Sequence, residues 1–318
     1  MDMSRRPARI TGSADEARGD KIASLGKIVS QSCGEVASTR VATRRDPFGR
    51  ILAPVRINDK GPFYFVVNSG ASTTAITDQV ARRLNVPLNE ERPIIVHGVT
   101  GSSTVPALRN VSITLGGFRI PSTAVPVLTH GMEGSDGMLG LIGLGRSQIQ
   151  LDLCQHNMVL SIGTLPIRLA PGSTSVPMDA SHTKLLVVDT HVQGMVIKTI
   201  IDTGAQSTMG NVPLQLALGG LGDRFGAAGP IIGLTTQGRT EVFQPLHPLG
   251  IGHLRILGAR ICYSQAPLFE TVGLGKTPAM LLGMNVLSNL ANISFDFTTR
   301  TVHFGPHTSK SGAKSRHA

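Results

Sequence analysis

The chain has 318 residues, room for one large domain or two small ones, and 41% of them are hydrophobic, enough for a real core. Thirty-seven glycines with no Trp and two Tyr suit many short strands joined by tight turns and exclude an architecture of long helices. The net charge of +10 belongs mostly to the ends, since residues 51–305 hold 17 basic against 14 acidic residues, so solvated basic tails replace a specific nucleic-acid site.

Residues 1–45 are polar, charged and aperiodic and read as a disordered basic extension. From Asp46 the pattern tightens. Arg50 to Ile57 alternates like a strand, Asn58-Asp59-Lys60-Gly61 reads as a hairpin turn, and Phe63 to Val67 is the return strand. That strand ends in the tight loop Asn68-Ser69-Gly70-Ala71, trailed by Ser72, Thr73 and Thr74. Thr77 is placed to cap a short helix from Asp78 to Leu84, ended by Asn85 and Pro87. Ile94 to Val105 reads as a hairpin with glycines at its tip. Strand-like runs follow at Val111–Leu115 and Ile120–Val127, then an apolar Met138-Leu139-Gly140 segment, then Ile149–Leu153 with Met158–Ile162.

Thr164 to Ala180 holds three prolines and several small polar residues, which suits a linker, assigned to residues 166–180. The programme then repeats. Leu185–Val192 and Val196–Ile201 form a hairpin whose second strand, an apolar β-branched run, ends in Asp202-Thr203-Gly204-Ala205. Ile231 to Val242 matches the earlier glycine-tipped hairpin, and Met280 to Leu287 matches the Met-Leu-Gly segment. Ile293–Phe297 followed by Thr301–Phe304 matches the last hairpin of the first copy. Four features thus recur in one order at offsets of 134 to 144 residues. The sequence is an internal duplication, with β-rich halves at 46–165 and 181–305 and a basic tail at 306–318.

A carboxylate delivered at the end of a buried strand is costly unless it is hydrogen-bonded or used, which singles out Asp202. The halves, over about residues 47–305, resemble two tandem retropepsin-like aspartic protease domains in one chain. The shared features are the apolar strand, the Asp-Thr-Gly-Ala loop, the glycine-tipped flap and the apolar-apolar-Gly segment before the last strands. The first copy is degenerate, reading Asn-Ser-Gly. The resemblance implies an all-β fold, two acid-protease barrels related by a pseudo-twofold axis, with one catalytic position from each half facing across the interface. It places Asp202 and Asn68 at those two positions and makes Ser69 and Thr203 the hydroxyls that cross-link the loops. It puts substrate beside Gly70, Ala71, Gly204 and Ala205 and beneath flaps around Gly98, Gly101, Gly233 and Gly238. Leu139-Gly140 and Leu282-Gly283 would pack behind the catalytic loops. It implies an extended peptide or protein substrate, no cofactor and no metal, and a monomer whose halves form an intramolecular pseudo-dimer.

The chemistry shows what Asn68 changes. Two carboxyls about 3 Å apart share one proton, one activating water and the other protonating the substrate amide. Asn is nearly isosteric with Asp and can donate a hydrogen bond, but it cannot pass a proton. Two readings follow: an aspartic-type endopeptidase weakened at one position, or an inactive pseudoprotease that binds peptides by strand addition. Asn68 also has a plainer reading, as an Asx-turn residue with no catalytic role.

Other motifs fail. Gly273-Leu274-Gly275-Lys276-Thr277 hints at a phosphate loop, but Glu270 stands where that motif needs Gly. No metal-binding His-Glu-x-x-His or Cys-x-x-Cys and no Gly-x-Ser-x-Gly elbow occurs. Cys33, Cys154 and Cys262 are scattered and odd in number, which is no disulfide framework. No apolar run reaches spanning length. The N-terminal arginines are not followed by an apolar signal region, so the chain as written is expected in the cytoplasm; a misassigned start would move it to the periplasm or outside.

Overall fold

The computed structural model describes residues 38–307 except 88, 100, 121, 131, 164–165, 180, 182–184, 220–226 and 232–238. Its first hairpin shows how sequence becomes sheet. Strands Ile51–Ile57 and Lys60–Asn68 pair antiparallel around Asn58 and Asp59, both with positive φ (48° and 62°). Asn and Asp tolerate that left-handed geometry, and two such residues give the turn whose twist matches the strands. Along Lys60–Asn68 the burial runs from exposed at the turn to fully buried at its far end. The chain therefore enters the core as it reaches Asn68.

The fold is mostly β, built from two curled half-barrel sheets. In the first, the strand order is Asn89–Gly98, Gly101–Arg109, Ala124–Leu128, Ala75–Thr77, Gly137–Gly140, Lys60–Asn68, Ile51–Ile57, Ile113–Leu115 and Phe118–Ile120. In the second, it is Ala227–Ile231, Arg239–Pro245, Arg260–Tyr263, Met209–Gly210, Ala279–Leu282, Met195–Ile201, Val187–Val192, Leu249–Ile251 and Leu254–Ile256. The orders correspond strand for strand. The registers correspond too: Met138 faces Ala75 as Leu281 faces Met209, and Met138 faces Val66 as Leu281 faces Ile200.

A third sheet of six strands joins the halves, in the order Ser38–Ala42, Asn157–Ile162, Ser147–Asp152, Asn292–Asp296, Thr301–Gly305 and Thr174–Pro177. At its centre Ser147–Asp152 pairs antiparallel with Asn292–Asp296, and Gln148 Nε2 donates to Asp296 Oδ2 at 2.9 Å. One apolar cluster runs through this seam, including Ile149 and Leu151 on one side and Ile293, Phe295 and Phe304 on the other. Burying each such side chain contributes about 1.5–3 kcal/mol. The halves are thus fixed to each other by core as well as by ladder.

The seam corrects two expectations. Residues 38–45 are not disordered: Ser38–Ala42 pairs with Asn157–Ile162, and Arg44–Arg45 pairs with Ile51–Ile57. Thr39 and Val41 are buried between exposed neighbours, a period-2 pattern too short and too polar to read ahead of its partner. The supposed linker likewise contains a strand, Thr174–Pro177, whose Thr174 and Val176 are buried against Thr301–Gly305. Pro177 is tolerated because this is the sheet's edge. Residues 1–37 and 308–318 lie outside the described residues.

Helix Asp78–Leu84 forms where expected, with Val80 N–H donating to the Thr77 hydroxyl at 3.3 Å and Asn85 left-handed at the end. Helices Val212–Ala217, Pro267–Thr271 and Met284–Leu287 were not foreseen. Among the described residues, no helix is long and apolar enough to cross a membrane.

Candidate active site

Each half delivers its loop at the buried end of a central strand, Lys60–Asn68 in one and Met195–Ile201 in the other. The two loops meet by exchanging hydrogen bonds. Ser69 N–H donates to the Thr203 hydroxyl at 3.0 Å, and Thr203 N–H donates to the Ser69 hydroxyl at 3.0 Å. Each hydroxyl then donates to a carbonyl of the opposite strand, Ser69 to Ile201 at 2.8 Å and Thr203 to Val67 at 2.6 Å. Both residues are fully buried, and the N–H and hydroxyl of each find their partners in the other half.

Behind the loops a second matched pair holds the backbone. Gly140 N–H donates to the Thr74 hydroxyl at 3.3 Å, and Gly283 N–H to the Thr208 hydroxyl at 3.1 Å. Glycine is required at both places. A Cβ on Gly140 would lie 2.7 Å from the Thr73 carbonyl oxygen, and one on Gly283 would lie 2.5 Å from that of Ser207.

These supports leave Asn68 and Asp202 at the junction, 8% and 7% exposed. Gly70 N–H donates to Asn68 Oδ1 at 2.7 Å, and Gly204 N–H to Asp202 Oδ1 at 2.8 Å. Each side chain also lies against the other half's glycine. A Cβ on Gly70 would come within 2.5 Å of the Asp202 carboxyl carbon, and one on Gly204 would collide with the Asn68 amide. Asn68 and Asp202 make no hydrogen bond to one another among the described residues. Asn68 Nδ2 donates instead to the Met138 sulfur at 3.0 Å.

Burial pushes the Asp202 carboxyl up to about 6, against N–H groups of Gly204, Ala205 and Gly70 and the Arg50 cation, which pull it down. Arg50 is itself buried, its Nε donating to Asp46 Oδ2 at 2.6 Å and its Nη2 to the Glu133 carbonyl at 2.6 Å.

The pair lies at a cleft of about 490 Å³ that Gly70 and Ala71 also border. Hairpin Asn89–Gly98 with Gly101–Arg109 forms part of its wall, where Ile94 through Val99 line it. Of the other residues expected to meet substrate, Gly98 borders the cleft, whereas Gly101 and Ala205 do not among the described residues. Gly204 backs the Asn68 amide. The second hairpin pairs Ala227–Ile231 with Arg239–Pro245, while Gly233 and Gly238 lie outside the described residues.

Residues 53–142 match the family model for aspartyl protease. The match runs from the first hairpin to just past Gly140 and includes Asn68 but not Asp202. No curated protein matches the chain.

Sequence reasoning missed Met138 as the amide's partner, Arg50 as the cation and the Thr74–Thr208 pair as backbone supports. The two threonines carried a signal, since they stand 134 residues apart, the same offset as Asn68 and Asp202. Arg50 carried none, because its second partner is the backbone of Glu133, 83 residues away.

Proposed function

We propose that the protein is an aspartic-type endopeptidase acting on extended peptides, with Asp202 as its single acid–base group and Asn68 as a neutral partner. The observation that carries this reading is the placement of the two side chains against the opposite half's glycines at a cleft lined by a hairpin. An ionised Asp202 takes a proton from water as the oxygen adds to the peptide carbonyl carbon. Asn68 Nδ2–H, turned from the Met138 sulfur, donates to the oxygen that gains charge. Protonated Asp202 then gives its proton to the leaving nitrogen as the C–N bond breaks. One group thereby serves as base and then acid, and atoms balance without a second carboxyl. Losing the second acid–base group costs on the order of 10²–10⁴ in rate, so turnover is slow.

A second reading, a peptide-binding module without turnover, is favoured by one observation: Asn68 Nδ2 is already engaged by Met138. Cleavage of a peptide library by wild type and Asp202→Asn, from acid to neutral pH, decides between them. The expected result is wild-type cleavage that rises as Asp202 ionises, with its midpoint near the value of about 6, and none in the variant. Equal cleavage by both defeats the aspartic mechanism. Peptide binding by both with cleavage by neither establishes the binding module.

A further inference from the structure

The correspondence between the two sheets does not carry over to the walls of the cleft. The registers equate Ala75 with Met209, Met138 with Leu281 and Pro126 with Cys262. In the first half all three border the cleft. Ala75 and Met138 cluster with Leu128 and Met132, which do not border the cleft themselves. In the second half the three counterparts are packed in a cluster with Phe269, Ala266 and Leu274, and none of them borders the cleft among the described residues.

Chain length makes the difference. Eight residues, 129–136, connect strand Ala124–Leu128 to Gly137–Gly140, whereas fifteen, 264–278, connect Arg260–Tyr263 to Ala279–Leu282. The longer connection forms helix Pro267–Thr271, opened by Pro267 at its first position and followed by Gly273 at φ 76°. Leu268 and Val272 of this segment front the cleft. Phe269 turns the other way and is 2% exposed. It belongs to the buried cluster that holds Met209, Leu281 and Cys262, the counterparts of residues that border the cleft in the first half.

We propose that the cleft accepts one large apolar substrate side chain, on the Asn68 side, and that Phe269 fills the mirror pocket from within and excludes a second. The expected ligand is an extended peptide with one aromatic or leucine-like residue at its centre and a small residue next to it. This rests on the peptide-binding reading of the cleft, though not on turnover.

The test is fluorescence anisotropy with labelled, alanine-rich decapeptides carrying Ala-Ala, Phe-Ala, Ala-Phe or Phe-Phe at the centre. A pocket that takes a benzyl group should favour one single-Phe peptide over Ala-Ala by about tenfold or more. Wild type should bind Phe-Phe no tighter than that peptide. Phe269→Ala should gain about tenfold for Phe-Phe alone. Ala75→Met, which copies the second half's Met209, should lose the single-Phe preference, and it carries the test if Phe269→Ala does not fold. The proposal is overturned if wild type already prefers Phe-Phe, if folded Phe269→Ala keeps the wild-type profile, if Ala75→Met keeps the preference, or if no peptide binds. Binding in the expected pattern without cleavage upholds the pocket assignment and removes the endopeptidase. Cleavage without the pattern does the reverse.

Discussion

Ser69 and Thr203 each accept the other's backbone N–H through a side-chain hydroxyl, at 3.0 Å in both directions. The relation is reciprocal, so neither loop can hold its geometry without the other half. Thr203→Val keeps the shape, removes the hydroxyl, and leaves the Ser69 N–H and the Val67 carbonyl buried without partners. The expected cost is about 1–3 kcal/mol for an unsatisfied buried group. Thr203→Ser, which restores the hydroxyl, should recover most of it. Chemical denaturation of the three proteins checks this, and an unchanged midpoint for Thr203→Val contradicts it.

The glycines behind the loops should be equally intolerant. Gly140→Ala and Gly283→Ala each push a methyl into a backbone carbonyl, which cannot rotate away as a side chain can. Overpacking of this kind costs typically about 1–3 kcal/mol. Because Gly140 N–H and Gly283 N–H are also held by Thr74 and Thr208, movement of either segment should disturb the neighbouring Asn68 or Asp202 loop. Melting temperature and peptide binding should therefore fall together. A variant that loses neither shows that the segment has room to shift.

The placement of the two loops is legible in the sequence, for identifiable reasons. The loops at Asn68 and Asp202 follow long apolar strands and recur at a fixed offset, so local pattern and repetition agreed. Helix Asp78–Leu84 announced itself through a capping Thr77 and a left-handed Asn85. The strand Ser38–Ala42 did not, because its partner Asn157–Ile162 lies more than a hundred residues away and supplies most of the reason it is a strand. Helix Val212–Ala217 buries only Leu214, so it shows almost no apolar stripe. The helix bearing Phe269 sits in a connection longer than its counterpart in the first sheet, so the earlier pattern offers no template for it.

Asn68→Asp should change both the rate and its pH dependence. A second carboxyl beside Asp202 forces the pair to share a proton, since like charges this close cannot both ionise. Cleavage should rise by on the order of 10²–10⁴ and acquire a bell-shaped profile with an acid optimum. Above the upper limb the doubly ionised pair should also destabilise the fold. The check is kcat/KM against pH for wild type and Asn68→Asp. A variant with the wild-type profile shows that position 68 takes no part in proton transfer.

The last prediction concerns stability and isolates Asp202. Its folded value of about 6 lies above the ordinary carboxyl value of 3.8, so the folded protein holds this proton more tightly than the unfolded chain does. Raising the pH from below the lower value to above the higher one therefore removes stability, because the fold must then bury a charge. The loss is complete above about 6 and absent below about 4. A difference of about two units corresponds to roughly 3 kcal/mol, an order-of-magnitude figure. Asp202→Asn keeps an oxygen for the Gly204 N–H but carries no charge at any pH. Subtracting its stability curve from that of wild type cancels the other titrating groups. Wild type should equal or exceed the variant in acid and fall below it near neutrality, with the change centred between the two values. A difference curve that is flat with pH means that Asp202 is solvated well enough to ionise freely, and a curve that rises with pH means that the N–H donors and Arg50 outweigh its burial.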